Sequence, residues 1–78
     1  MDDVQYTLQP MSSNILMDLE KAIDGEYNAI FFYERLAQLA PNEEIRTRIL
    51  EIRKDEMRHF QGFSYIFTCL TGQNPSPK

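Results

Sequence analysis

Pro41 constrains this chain more than any other residue, because it separates two long stretches that are free of proline and patterned for helix. Proline disfavours helical backbone in the residue before it, Asn42 behind it offers a capping oxygen, and Glu43 and Glu44 suit the positive end of a new helix. The segment 40–44 therefore reads as a turn between two helices. Upstream, Ser12, Ser13 and Asn14 offer cap oxygens, Asp18 and Glu20 follow, and no turn signal intervenes before Gln38. Gly25 is the one weak helix former inside, and its missing side chain would admit a close neighbouring helix. Downstream, Gly72 is a helix-ending residue, and Pro75 and Pro77 block resumption. These signals predict an irregular arm over 1–12, helices over about 13–39 and about 42–71, and a loose tail over 72–78.

Periodicity assigns the buried faces. In the first helix Leu16, Leu19, Ile23, Glu26, Ile30, Tyr33, Ala37 and Ala40 recur at alternating steps of three and four. In the second, Ile45, Ile49, Ile52, Glu56, His59, Phe63, Ile66 and Leu70 do the same. Each stripe is apolar except near its middle, where one helix carries a Glu and the other a Glu followed three residues later by a His. Most other charged residues of the second helix, among them Arg46, Arg48, Arg53, Lys54 and Arg58, read as a solvated face with favourable i, i+3 and i, i+4 pairs.

Size decides what this pattern needs. A core drawn from 78 residues supplies little net stability without a metal, a disulfide or a partner chain. The single cysteine, Cys69, excludes an internal disulfide and a four-cysteine metal centre. With 12 acidic against 8 basic side chains, the surface lacks the positive field that nucleic acid requires. Neither an export signal nor a membrane span is evident, so a cytoplasmic protein with no membrane partner is expected.

Three ionisable groups at core positions need a common explanation, because a charge is seldom buried unless it is paired or bound to metal. Glu26 lies 15 residues before Pro41 and Glu56 lies 15 after it. On antiparallel helices both then sit about 22 Å from the turn, at one height. His59 projects from the same face as Glu56, and Glu-x-x-His is the arrangement by which one helix offers a carboxylate and an imidazole to one centre. Two oxygens and a nitrogen suit iron, with manganese or zinc possible, whereas magnesium and calcium favour oxygen alone. Two such hairpins related by a two-fold axis would bring four carboxylates and two imidazoles together. The bland explanation is a metal-free hydrogen-bonded cluster that fixes helix register.

From Leu19 to Thr71 the chain resembles the first half of a rubrerythrin-like member of the ferritin superfamily, through Gly25-Glu26-Tyr27, Tyr33-Glu34-Arg35-Leu36-Ala37 and Asp55-Glu56-Met57-Arg58-His59-Phe60. It is also similar to encapsulated ferritins, short two-helix chains that build each di-iron site between subunits. The resemblance implies an all-α, antiparallel two-helix hairpin that dimerises into a ferritin-like four-helix bundle, or a fragment of a longer four-helix protein. It implies dinuclear iron shared between two chains, with Glu56 bridging, Glu26 terminal and His59 the nitrogen ligand. Tyr27 and Tyr33 are candidates to orient a ligand or donate to a bound peroxide, their alternative role being packing. The implied chemistry is ferrous iron oxidation or peroxide reduction. The cysteine-rich electron-transfer module of many rubrerythrins is missing here, so an external electron donor is expected, alongside self-association as a homodimer or higher even oligomer. The competing classes are a non-enzymatic helical oligomerisation module, in which the Glu and His groups set register, and metal storage.

Overall fold

The computed structural model describes residues 13–78, so the expected arm over 1–12 and the candidate cap Ser12 lie outside the described residues. Among these residues the chain forms two helices and no strand. The first, α1, spans Ser13–Gln38, and the second, α2, spans Glu43–Thr71. Asp18 and Glu20 fall beyond the first turn of α1, which contains no acid.

Local chemistry closes the three helix ends that border the turn and the tail. The last turn of α1 tightens, with Leu39 N and Ala40 N donating to the carbonyls of Leu36 and Ala37, each at 3.1 Å. Asn42 then takes an extended conformation, and its side-chain oxygen accepts from Ile45 N at 2.9 Å, which starts α2. At the far end Gly72 turns left-handed, φ 76°, and donates to Thr68 O at 2.8 Å. Asn42→Ala should cost about 1 kcal/mol of stability, read as a lower urea midpoint at fixed protein concentration. An unchanged midpoint would show that the turn is held without this cap.

Cross-helix bonds give the direction of packing. Arg46 Nε donates to Ala37 O at 3.1 Å, and Arg53 Nε donates to Ile30 O at 2.9 Å. Partners fall in number on α1 as they rise on α2, so the hairpin is antiparallel. Its core is a cluster of Leu19, Ile23 and Phe67, flanked by Phe60 and Phe63, and it lies in the half distant from the turn. Toward the turn, α1 buries Ile30 and Ala37.

The stripe expected on α1 is the one that faces α2: Leu19, Ile23, Ile30 and Ala37 are buried, and Glu26 and Tyr33 are half-buried between them. On α2 the packed line is rotated from expectation. It runs through Arg46, Ile49, Arg53, Glu56, Phe60, Phe63 and Phe67, whereas Ile45, Ile52, His59, Ile66 and Leu70 are exposed. Arg46 and Arg53, read from the sequence as part of a solvated face, instead reach across to α1. The physical reason is that a hairpin buries only one side of each helix, and α2 is apolar over a wider arc than one neighbour covers.

That leaves an open face. Ile45, Ile52, His59 and Ile66 lie on α2 at steps of seven, and Ile15, Ala22, Ala29 and Leu36 lie on α1 at steps of seven on the same side of the hairpin. Five hydrophobic residues are buried among the described residues while thirteen large ones are exposed, so the hairpin alone does not satisfy its own apolar pattern. Phe31 and Phe32 are both more than half exposed and point elsewhere on α1. Residues 73–78, read as a loose tail, lie back along α1: Pro75 and Pro77 are half-buried, and Lys78 N donates to Asp24 Oδ1 at 3.0 Å. A cleft of about 280 Å³ runs between this tail, Glu20 and Phe67. No helix among the described residues is long and apolar enough to cross a membrane.

Candidate metal centre

Glu26 owes its place to phase. It follows Ile23 by three residues and precedes Ile30 by four, both buried against α2, so its side chain enters the seam between the helices. Glu56 holds the matching position on α2, three residues after Arg53 and four before Phe60. Both carboxylates are 21% exposed, a low value for an acid. His59 stands one turn beyond Glu56 at the edge of the open face, 58% exposed.

The three groups converge. His59 Nδ1 lies 3.5 Å from Glu56 Oε1 and 3.8 Å from Glu26 Oε2. One donor atom from each residue falls within 4.8 Å of the other two, the one such group among the described residues. For comparison, ligands bound tetrahedrally at 2.0–2.2 Å stand roughly 3.3–3.6 Å apart. The two His59 distances are already close to that spacing, and closing the widest separation in the group, up to 4.8 Å, by roughly 1 Å would suit a first-row ion.

The electrostatics favour a cation or a proton at this spot. Glu26 is held above its ordinary carboxylate value, first by a hydrogen bond shared with Glu56, then by burial and by the charge of Glu56, with His59 opposing. Its other oxygen, Oε1, is buried and has no hydrogen-bond partner. An orphaned carboxylate oxygen beside a second acid is what a metal would satisfy, and the set of two oxygens and one nitrogen fits iron, manganese or zinc. The three residues fit such an ion but do not complete its coordination, and the imidazole faces the open side of the hairpin.

The two candidate tyrosines sit in aromatic pairs, Tyr27 next in sequence to Glu26 and Tyr33 two helical turns from it. Tyr27 meets Phe31 edge to face at 5.0 Å and lies 5.9 Å from Phe60, while Tyr33 meets Phe32 edge to face at 5.3 Å. Both are half-buried. Arg53 was not singled out by sequence reasoning, yet it lies one turn from Glu56 and spans the seam, its Nη2 standing 3.6 Å from Glu34 Oε1. Its signal was available in the steps of three and four that link residues 46, 49, 53, 56, 60, 63 and 67.

No family model and no solved structure matches the chain. It is 45% identical over 75 residues to the uncharacterized protein YhjR of Bacillus subtilis (strain 168), an alignment that covers 96% of this chain and 50% of that protein. The chain thus spans about half the length of the curated relative it matches.

Proposed function

We propose that two copies of this hairpin pack open face to open face into a ferritin-like four-helix bundle and hold a dinuclear non-haem iron site between them, which serves ferrous iron oxidation or peroxide reduction in the cytoplasm. The observation that carries this reading is the convergence of Glu26, Glu56 and His59 to within 4.8 Å, at the edge of an apolar face that the hairpin leaves uncovered. A second copy is the occupant we choose because the face is self-complementary about the level of the ligands. Ile15 and Ala22 lie on one side of that level, Ala29 and Leu36 on the other, and α2 repeats the pattern with Ile45 and Ile52 against Ile66 and Leu70. A two-fold axis at that level superposes apolar on apolar and brings the two half-sites together.

In such a bundle Glu56 would bridge, Glu26 would bind terminally, and His59 would present Nδ1. An iron pair held there supplies two-electron redox chemistry. The work of the chain is to fix donors on rigid helices, to balance the metal charge with four carboxylates, and to exclude water with the flanking isoleucines and leucines. An external reductant would return the centre to its ferrous state. The second reading, a metal-free register cluster in a helical oligomerisation module, draws on the raised value of Glu26 beside Glu56, since a proton shared by two carboxylates could hold them together without a metal.

Metal analysis with light scattering separates the two. Protein purified without chelator and loaded anaerobically with ferrous iron should retain about one iron per chain in an even-numbered assembly. An even assembly that retains no iron would leave the register module standing. A well-folded monomer at micromolar concentration would overturn the shared site altogether.

A further inference from the structure

We propose that Arg53 is a positioning residue for the cluster: by bonding the Ile30 carbonyl across the seam, it pins α2 to α1 one turn from both carboxylates and holds the three donor atoms level. The case begins with what apolar packing leaves undetermined. Burial is non-directional, and the buried residues of α1 recur every seven positions at Ile23, Ile30 and Ala37, so α2 has nearly equivalent apolar seats two turns up or down. The Asn42 turn sets the register at its own end, but the ligands stand about 22 Å from it, far enough for small errors of splay and pitch to matter.

Directional bonds correct this. Arg53 Nε donates to Ile30 O at 2.9 Å, and seven residues earlier Arg46 Nε donates to Ala37 O at 3.1 Å. The two rungs share one register, since the residue numbers of each pair sum to 83, and those of Glu26 and Glu56 sum to 82. Arg53 is three residues from Glu56, and Ile30 is four from Glu26, so among the described residues this rung is the nearest hydrogen bond between the helices outside the cluster itself. Its guanidinium also stands 3.6 Å from Glu34 Oε1, which ties the same arginine to a second residue of α1. Arg46 is a built-in control: it makes the same kind of bond one heptad further from the ligands.

The role rests on the metal reading for its purpose, and the test keeps the two apart by using Co²⁺ as a probe and a ring contact as a metal-free ruler. Arg53→Met keeps the apolar stem and removes the donor. It should weaken Co²⁺ binding about tenfold or more and change the visible ligand-field spectrum, whereas Arg46→Met leaves affinity within about twofold and the spectrum unchanged. Arg53→Lys, which can still donate to Ile30 O, should recover affinity to within about threefold of the parent. If Arg53→Met folds poorly, the Lys variant against Arg46→Lys makes the same comparison. Equal losses in the Arg46 and Arg53 variants, or no loss in either, would overturn the proposal.

If the parent protein takes up no Co²⁺, the metal reading fails and the register is judged without it. The Tyr27 and Phe60 rings, 5.9 Å apart, lie next in sequence to Glu26 and His59 and give a nuclear Overhauser contact that reports ligand level. Loss of that contact in Arg53→Met but not in Arg46→Met supports positioning by Arg53. Its retention in both overturns it.

Discussion

Glu56→Ala and His59→Ala should each abolish tight binding of ferrous iron or manganese while leaving helix content near that of the parent. Each removes one of three donors per chain. The loss should exceed the roughly 10–100-fold that changes behind the ligands bring. Neither change cuts into the apolar core, which lies at Leu19, Ile23 and Phe67, so circular dichroism should hold steady while metal stoichiometry collapses. Retention of full stoichiometry by either variant would strike that residue from the site. Glu26→Gln extends the series to the metal-free protein. Because folding raises the Glu26 value, the folded chain holds the proton more tightly than the unfolded one, and that stabilisation is complete below the ordinary carboxylate value and lost as pH rises through the raised one. Glutamine mimics the protonated form. Glu26→Gln should therefore stabilise the metal-free protein at pH 7, and the advantage should fade on acidification; an equal gain at low pH would assign the effect to packing instead.

The turn and the far end of the second helix were legible because local chemistry sets them: Pro41 stops one helix, Asn42 caps the next, and Gly72 supplies the left-handed residue that closes it. The meeting of Glu26, Glu56 and His59 was legible by counting, since equal distance from a tight turn on antiparallel helices means equal height. The rotation of α2 was not legible. A single periodic stripe cannot say which side of a helix its neighbour covers, and α2 is apolar on two sides: Phe60 and Phe67 turn to α1, while Ile52, 45% exposed, and Ile66 turn away. The arginines were misread for a related reason. A long side chain with a polar tip sits at a seam when a carbonyl lies within reach, and sequence reveals the charge but not the carbonyl. Both errors have one origin: α2 carries more apolar surface than one neighbouring helix covers.

If the pattern is completed by a second hairpin, the ferrous-loaded protein should be oxidised by peroxide at least about tenfold faster than free ferrous ion, an effect equal to about 1.4 kcal/mol of barrier. The direction follows from charge. Carboxylates clustered in an apolar seam stabilise the ferric product more than the ferrous reactant, and two metals side by side can deliver both electrons that peroxide needs. Stopped-flow absorbance after anaerobic loading would measure the rate, with Glu56→Ala as the reference, since that variant keeps the helices but loses a donor. Sustained turnover is a separate matter. One cysteine, Cys69, cannot hold a four-cysteine electron-transfer iron within these 78 residues, so the ferric centre should accumulate after one fast phase and turn over only when a reductase or chemical donor is added. A parent rate no greater than that of Glu56→Ala would show that the cluster, whatever it binds, is not arranged for oxidation, and the register module would become the better account of why two acids and an imidazole share this seam.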